Sequence, residues 1–292
     1  MRISREDVLS YYRKTYEEEY DALGEEGVDA ILERGRTFHL EKVLTDRGVL
    51  VFPHVHIADC GPYTAAVVEA VLESGTDQVL AIGVLHAWSD EMEQARARTS
   101  DPAKLEEEPL RGIYGEGLAN KLDYWSRDHS MYSFTRLLGD AAAKRNVPPP
   151  KLIVRYPFLT GPRPETLPGI EDLAAIAKDS VAVSTADHCH HGIGYGHTRQ
   201  DARYFDEAGL AYVRNIIEEG LALLDAGRYP EYLRHSATVA KSDWRDAGPV
   251  VHHLLGPLES KVLAIVPSDF ANSIHQAPAP TWCAGALVSA HP

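Results

Sequence analysis

Apolar residues in this chain fall into two kinds of run, and the alternation between them predicts the elements. Short, nearly continuous runs occur at 48–54 (GVLVFPH), 77–88 (DQVLAIGVLHAW), 148–159, 181–192 and 261–270. Runs of that length and density read as strands covered on both faces. Between them, apolar positions recur at helical spacing over 4–34, 61–75, 130–146, 167–180 and 200–235, and 250–258 reads as a helix end. Gly24 and Gly27 break the first helix, while Pro62 near the first turn and Gly75 at the end bracket the second. Residues 89–128 are polar, acidic and without strong periodicity, an excursion over one face. The closing TWCAGALVSA fits either a strand or a helix.

Strand, loop, helix and strand follow one another over residues 48–88, which is a βαβ unit and implies a parallel pair. No repeat, low-complexity tract or linker divides the chain. The expectation is one α/β domain over residues 1–292, with a mainly parallel central sheet flanked by helices and an N-terminal helical segment (1–47) packed on it.

Composition narrows the function classes. The 292 residues are 44% hydrophobic and carry a formal net charge of -14, with no cluster of Lys or Arg. A nucleic-acid backbone is repelled by such a chain. Three cysteines (Cys60, Cys189, Cys283) form no CxxC pair and no disulfide framework. No apolar run reaches the ~20 residues of a membrane span, and the N-terminus lacks the apolar core of a signal peptide. The expectation is a cytoplasmic protein with no nucleic-acid or membrane partner, and a homo-oligomer is left open.

Histidine changes the picture. There are 14, several in tight groups. Three predicted strands end in metal-competent side chains: His54 and His56 after the first, His86 after the second, and Asp187-His188-Cys189-His190 after the fourth. The late strand runs into Ser268-Asp269. Ligands bind open α/β sheets at the carboxyl ends of the strands. Neutral imidazoles with a carboxylate suit a divalent non-haem iron with open positions, and zinc accepts the same donors. His56 is read as a solvated loop histidine turned away from the site. The three cysteines are read as buried small apolar groups, and one of His252 and His253 as a core or interface residue.

The segments PHVHIADCGPYTA, LAIGVLHAWS, RDHSMYSF, VSTADHCHHGIGYG and CAGAL occur in this order over residues 49–290. Together they resemble the Memo family, which shares its fold with the catalytic subunit of class III extradiol ring-cleaving dioxygenases. The resemblance implies His54 and His86 as metal ligands, His190 and Asp187 as the pair beside the open positions, and His129 in the same cavity. His190 becomes the acid/base, with Asp187 and His129 as the other catalytic side chains. His188, Asn272 and His275 are assigned to substrate binding.

A third ligand is a glutamate in extradiol enzymes and a cysteine in animal Memo proteins. An ungapped count back from AGAL places Asn272 there. Asp269 is the only carboxylate in VPSDFANSIHQ, and a buried dication favours an anionic partner, so Asp269 is expected as the ligand. Asn272, His275 and water remain alternatives, and a helix N-cap is the other role open to Asp269.

The function implied is a non-haem Fe(II) dioxygenase acting on a small catecholic or aminophenolic compound with dioxygen. Zinc and copper are the alternative metals. A Memo-like metal-binding protein without ring cleavage and a zinc hydrolase are the competing readings.

Overall fold

The computed structural model describes residues 5–86, 89–119, 123, 125–271 and 277–292. Eight strands form one sheet: β1 (Val49–Phe52), β2 (Gln78–Ile82), β3 (Gly112–Tyr114), β4 (Lys151–Phe158), β5 (Val181–Thr185), β6 (Cys189–Gly192), β7 (Glu259–Asp269) and β8 (Thr281–His291). Their order is β3-β4-β2-β5-β1-β8-β6, with β7 paired to β8. The nearly continuous apolar runs did become strands; β1 is buried at every position, whereas β4 is buried only toward its C-terminal end and β7 at few positions.

The expected mainly parallel sheet is corrected to a mixed one. β4, β2, β5 and β1 pair in parallel, whereas β8 runs antiparallel to β1, β6 and β7, and β3 antiparallel to β4. The helical crossovers between the early strands enforce parallel pairing. The short link from β7 to β8 leaves no room for one, so these two form a hairpin. Pro267 is tolerated in β7 because that strand pairs on one side only.

Helices cover both faces. α1 (Arg5–Arg36), α2 (Glu41–Thr45), α3 (Ile57–Glu73) and α5 (Tyr132–Lys144) pack on one face, with Leu50, Phe52, Ala81 and Val183 beneath them. α6 (Ile170–Lys178), α7 (Glu207–Asp225), α8 (Tyr229–His235) and α9 (Ala247–Leu255) cover the other, over Val49, Val51, Leu80, Ile82 and the alanines of β8. α4 (Asp90–Arg98) lies in the polar excursion. Alternation along each strand divides its side chains between these two cores. Phe52 stacks on Phe134 at 4.9 Å between centroids, and full burial of one such side chain contributes roughly 1.5–3 kcal/mol.

The expected interruption of the first helix is a kink of α1 at Gly24, whose φ of 61° only glycine adopts readily. Two element boundaries differ from the sequence reading. α3 begins at Ile57, so Pro62 lies inside it. Residues 181–192 are not one strand: β5 stops at Thr185, and β6 starts at Cys189 on a different neighbour.

That last break positions the candidate site. β8 carries β7 along one edge, while β1 (against 288–290) and β6 (against 281–284) share the other. Between them the ladder is interrupted. There the Ala286 N–H donates to His188 Nδ1 at 3.2 Å instead of to a strand. A Cβ on Gly285 would stand 2.3 Å from Pro53 Cβ and 2.9 Å from Asp187 Oδ1. The missing side chain therefore allows the loops leaving β1 and β5 to close onto β8. Among the described residues no helix is long and apolar enough to cross a membrane.

Candidate metal centre

Three separate segments meet at this interruption. His54 follows β1 through Pro53, and its backbone N–H donates to Asp187 Oδ1 at 3.1 Å. His86 follows β2, with its backbone N–H donating to the buried Asp128 carboxylate. The third segment lies between α8 and α9. A π-helical turn (Ser236–Ala240) leads through Lys241, at a left-handed φ of 50°, into a 3-10 turn, Asp243–Arg245, capped by Ser242. π-turns and left-handed non-glycine residues often mark functional sites. Asp243 Oδ1 accepts the Asp187 N–H at 3.0 Å, which turns Oδ2 toward the two imidazoles. Asp243 Oδ2 lies 3.1 Å from His54 Nε2 and 3.3 Å from His86 Nε2.

The hydrogen-bond pattern assigns the His54 tautomer. The Thr185 hydroxyl donates to the Phe52 carbonyl at 2.9 Å and lies 2.8 Å from His54 Nδ1. The hydroxyl proton is already used, so Nδ1–H is the donor in that pair, and the Nε2 lone pair faces Asp243 in the neutral ring. His86 likewise presents Nδ1 to Asp128 at 3.5 Å and Nε2 to Asp243. His54 Nε2 and His86 Nδ1 are buried without a hydrogen bond. A lone pair and a carboxylate oxygen in such proximity repel each other unless a proton or a metal ion lies between them. Two donors bound about 2.1 Å from one ion at about 90–110° stand ~3.0–3.4 Å apart. The observed separations match, and two imidazoles with one carboxylate fit a divalent transition metal.

The electrostatics favour positive charge here. Burial opposes an imidazolium at His86, but Asp128 and Asp243 overcome it and raise its pKa to about 10. His54 is raised as well: burial opposes the shift, and Asp187 and Asp243 drive it. Asp243 is held well below the usual carboxylate range, against burial, by His54 and His86. A metal ion must displace the protons that these carboxylates otherwise hold on the rings.

A second group adjoins the first. Asp187, His190 and Cys283 bring ligand atoms within 4.8 Å of one another, and Asp187 Oδ2 is 3.7 Å from His54 Nε2. His190 Nδ1 donates to the Lys241 carbonyl at 2.7 Å, so Nε2 presents its lone pair as a base in the neutral ring. The segment that supplies Asp243 thus also orients His190. His129 stacks on His86 at 4.5 Å and on Tyr12 of α1 at 5.2 Å. Its ring makes no hydrogen bond among the described residues. Burial and the neighbouring His86 push its pKa well down, so it stays neutral. Tyr16, also on α1, donates to the His54 carbonyl. Burial and Arg96 lower the Arg245 guanidinium to about 10.

Measured against the sequence reading, His54 and His86 stand together and the carboxylate beside them is Asp243. Asp269 ends β7 exposed, with Oδ1 accepting the Ala271 N–H at 2.8 Å, and belongs to none of the metal-competent groups. Asn272 and His275 lie outside the described residues. His190, Asp187 and His129 surround the centre. His188 is buried in the wall, its Nδ1 engaged by Ala286 and its ring against Trp244 at 5.5 Å. His56 turns away from the centre to Glu19 and Phe270, because the chain leaves the extended path after β1 and His56 already opens the first turn of α3. The three cysteines are buried, as is His252, which is bound to Asp225 and Gly248. Asp243 and Asp128 were missed; the only sequence signal for Asp243 is the Ser-Asp turn in KSDWRD. No family model matches the chain, and no curated protein matches it.

Proposed function

We propose that this protein is a non-haem Fe(II) dioxygenase of the extradiol type, acting on a small catecholic or aminophenolic compound. The observation that carries the reading is the meeting of His54, His86 and Asp243 at metal-ligand spacing, with a second imidazole, His190, poised as a base beside it. The resemblance of the five motif segments to the Memo and class III extradiol proteins supports the same assignment. His54, His86 and Asp243 would hold the metal. When bound, Fe(II) supplies the redox chemistry that couples oxidation of an electron-rich ring to reduction of dioxygen. Both oxygen atoms enter the ring-opened product, so no external reductant is required.

The remaining roles belong to the chain. His190 Nε2 takes the proton of a substrate hydroxyl, and its Nδ1–H is anchored on Lys241 so that the ring keeps one orientation. Asp187, fixed by the His54 N–H, sits next to that base and steadies the charge it acquires. His129, held neutral between Tyr12 and His86, offers a hydrogen bond to a substrate oxygen. Tyr12 and Tyr16 of α1 wall this side and limit access of water.

Oxygen uptake tests the reading. Protein loaded anaerobically with Fe(II) is offered a panel of catechols and 2-aminophenols. Consumption of oxygen by wild type is expected with at least one of them. His190→Gln should retain iron while turnover falls by about 10²-fold or more. Iron-loaded protein that consumes no oxygen with any of them contradicts the proposal, and activity that needs zinc but not oxygen makes it a hydrolase instead.

A further inference from the structure

We propose that Cys283, His190 and Asp187 form a second metal position, separate from the His54, His86 and Asp243 centre, which takes a zinc-class divalent ion. The donors are a thiolate, an imidazole and a carboxylate, and their ligand atoms all lie within 4.8 Å of one another. Asp187 and Cys283 are buried, and His190 is half-buried. Strand pairing produces the juxtaposition. His190 of β6 stands directly opposite Cys283 of β8 in the antiparallel ladder, where facing residues have their Cβ atoms about 5 Å apart on one side of the sheet. Asp187 lies in the loop between β5 and β6.

Each partner of the thiol has one atom fixed and one to give. Asp187 Oδ1 accepts the His54 N–H at 3.1 Å, which leaves Oδ2. His190 Nδ1 donates to the Lys241 carbonyl at 2.7 Å, which leaves the Nε2 lone pair. The other two thiols are placed differently. Cys60 donates to the Val55 carbonyl at 3.2 Å, and Cys189 lies in the opposite core among apolar side chains. Neither belongs to a metal-competent group among the described residues.

The donor set selects the ion. Magnesium and calcium take oxygen donors, so a thiolate disfavours them. Sulfur, nitrogen and oxygen together suit four-coordinate zinc, with one position left for water. Tetrahedral donors on zinc stand roughly 3.3–3.6 Å apart, so the cluster must tighten by no more than roughly 1.5 Å. Charge allows both ions at once. Two neutral imidazoles and one carboxylate leave the first dication with one net positive charge, whereas a thiolate and a carboxylate cancel the second completely. Binding releases the thiol proton, because the thiolate is the ligand. An ion here also occupies the Nε2 lone pair that a base would use, so zinc should be inhibitory; that consequence alone rests on the reading of His190 as the acid/base.

Anaerobic titration of the full-length, metal-free protein with Co(II), a spectroscopic stand-in for zinc, decides the matter. Wild type should bind two ions, one of which raises a thiolate-to-cobalt charge-transfer band in the near ultraviolet. Cys283→Ala and Cys283→Ser should each bind one ion without that band. The paired variant His54→Ala/His86→Ala should lose the other ion and keep the band; His86→Ala alone serves if the pair does not fold. Zn(II) should abolish the band in wild type, and its affinity for this position should fall at least about tenfold in His190→Gln. No band in wild type, or a band of full strength in either Cys283 variant, overturns the proposal. So does unchanged zinc affinity in His190→Gln. A band lost from a natively folded His54/His86 variant also overturns it, by placing Cys283 on the first ion. A single ion in wild type that carries the band and survives in that variant upholds this position and removes the first centre.

Discussion

Asp243 and Asp269 are both aspartates at the edge of regular structure, yet their oxygens have different work. Asp269 turns one oxygen back to its own chain at Ala271, the local habit of aspartate at a turn. Asp243 has one oxygen fixed by the Asp187 N–H and the other aimed at two imidazoles. A short sequence window contains nothing to separate the two, because what distinguishes them is a contact 56 residues away. The histidines were readable because each follows an apolar run directly. The raised imidazoles give this site a definite pH behaviour. In the metal-free protein the His86 contribution to stability is fully present below the ordinary histidine pKa of about 6.5 and is lost as pH rises through about 10. Metal competes with those same protons, so apparent affinity should climb with pH through the neutral and mildly alkaline range. Near neutral pH, uptake should release more than about one proton per ion. Calorimetric titration in two buffers of different ionisation enthalpy measures this, and binding without proton release would show that the rings are already neutral.

The strands that appear near where the apolar pattern placed them include β1, β2 and β5, which are buried almost throughout. β6 was not separable from β5, because only Ala186, Asp187 and His188 intervene and none of them is glycine or proline. The direction of β8 was equally hidden: its small side chains suit either a helix or an inner strand, and only the pairing with β7 and β1 settles it. Gly285 connects that strand to the chemistry. An alanine there would press its Cβ into Pro53 and Asp187, the residues that set the backbone of His54 and the carboxylate next to it. Neither neighbour can yield cheaply, since one is a proline in a buried turn and the other is hydrogen-bonded. Gly285→Ala should therefore lose about 1–3 kcal/mol in chemical denaturation and weaken metal binding in parallel. A variant that is destabilised yet keeps full metal affinity would show that β8 supports the fold without shaping the centre.

At the scale of the molecule, three loops separated by long stretches of chain are brought to one point by the sheet order. β1 and β2 flank β5, so His54 and His86 leave the same end of the sheet two strands apart. The 236–245 segment reaches that point from the opposite helical layer and docks on the end of β5, where the Asp187 N–H donates to the Asp243 carboxylate and the Asp243 N–H to the Asp187 carbonyl. α1 closes the other side with Tyr12 and Tyr16. The α/β class and the candidate histidines at strand ends follow from local patterns, whereas the carboxylate beside them, Asp243, depends on tertiary docking that no local pattern encodes. Anomalous diffraction at the iron edge from Fe(II)-loaded crystals shows whether His54, His86 and Asp243 jointly hold a divalent metal. One strong peak is expected about 2.0–2.2 Å from His54 Nε2, His86 Nε2 and an oxygen of Asp243, with Asp269 remote from it. A peak coordinated without Asp243, or no peak between the two imidazoles, contradicts that joint role.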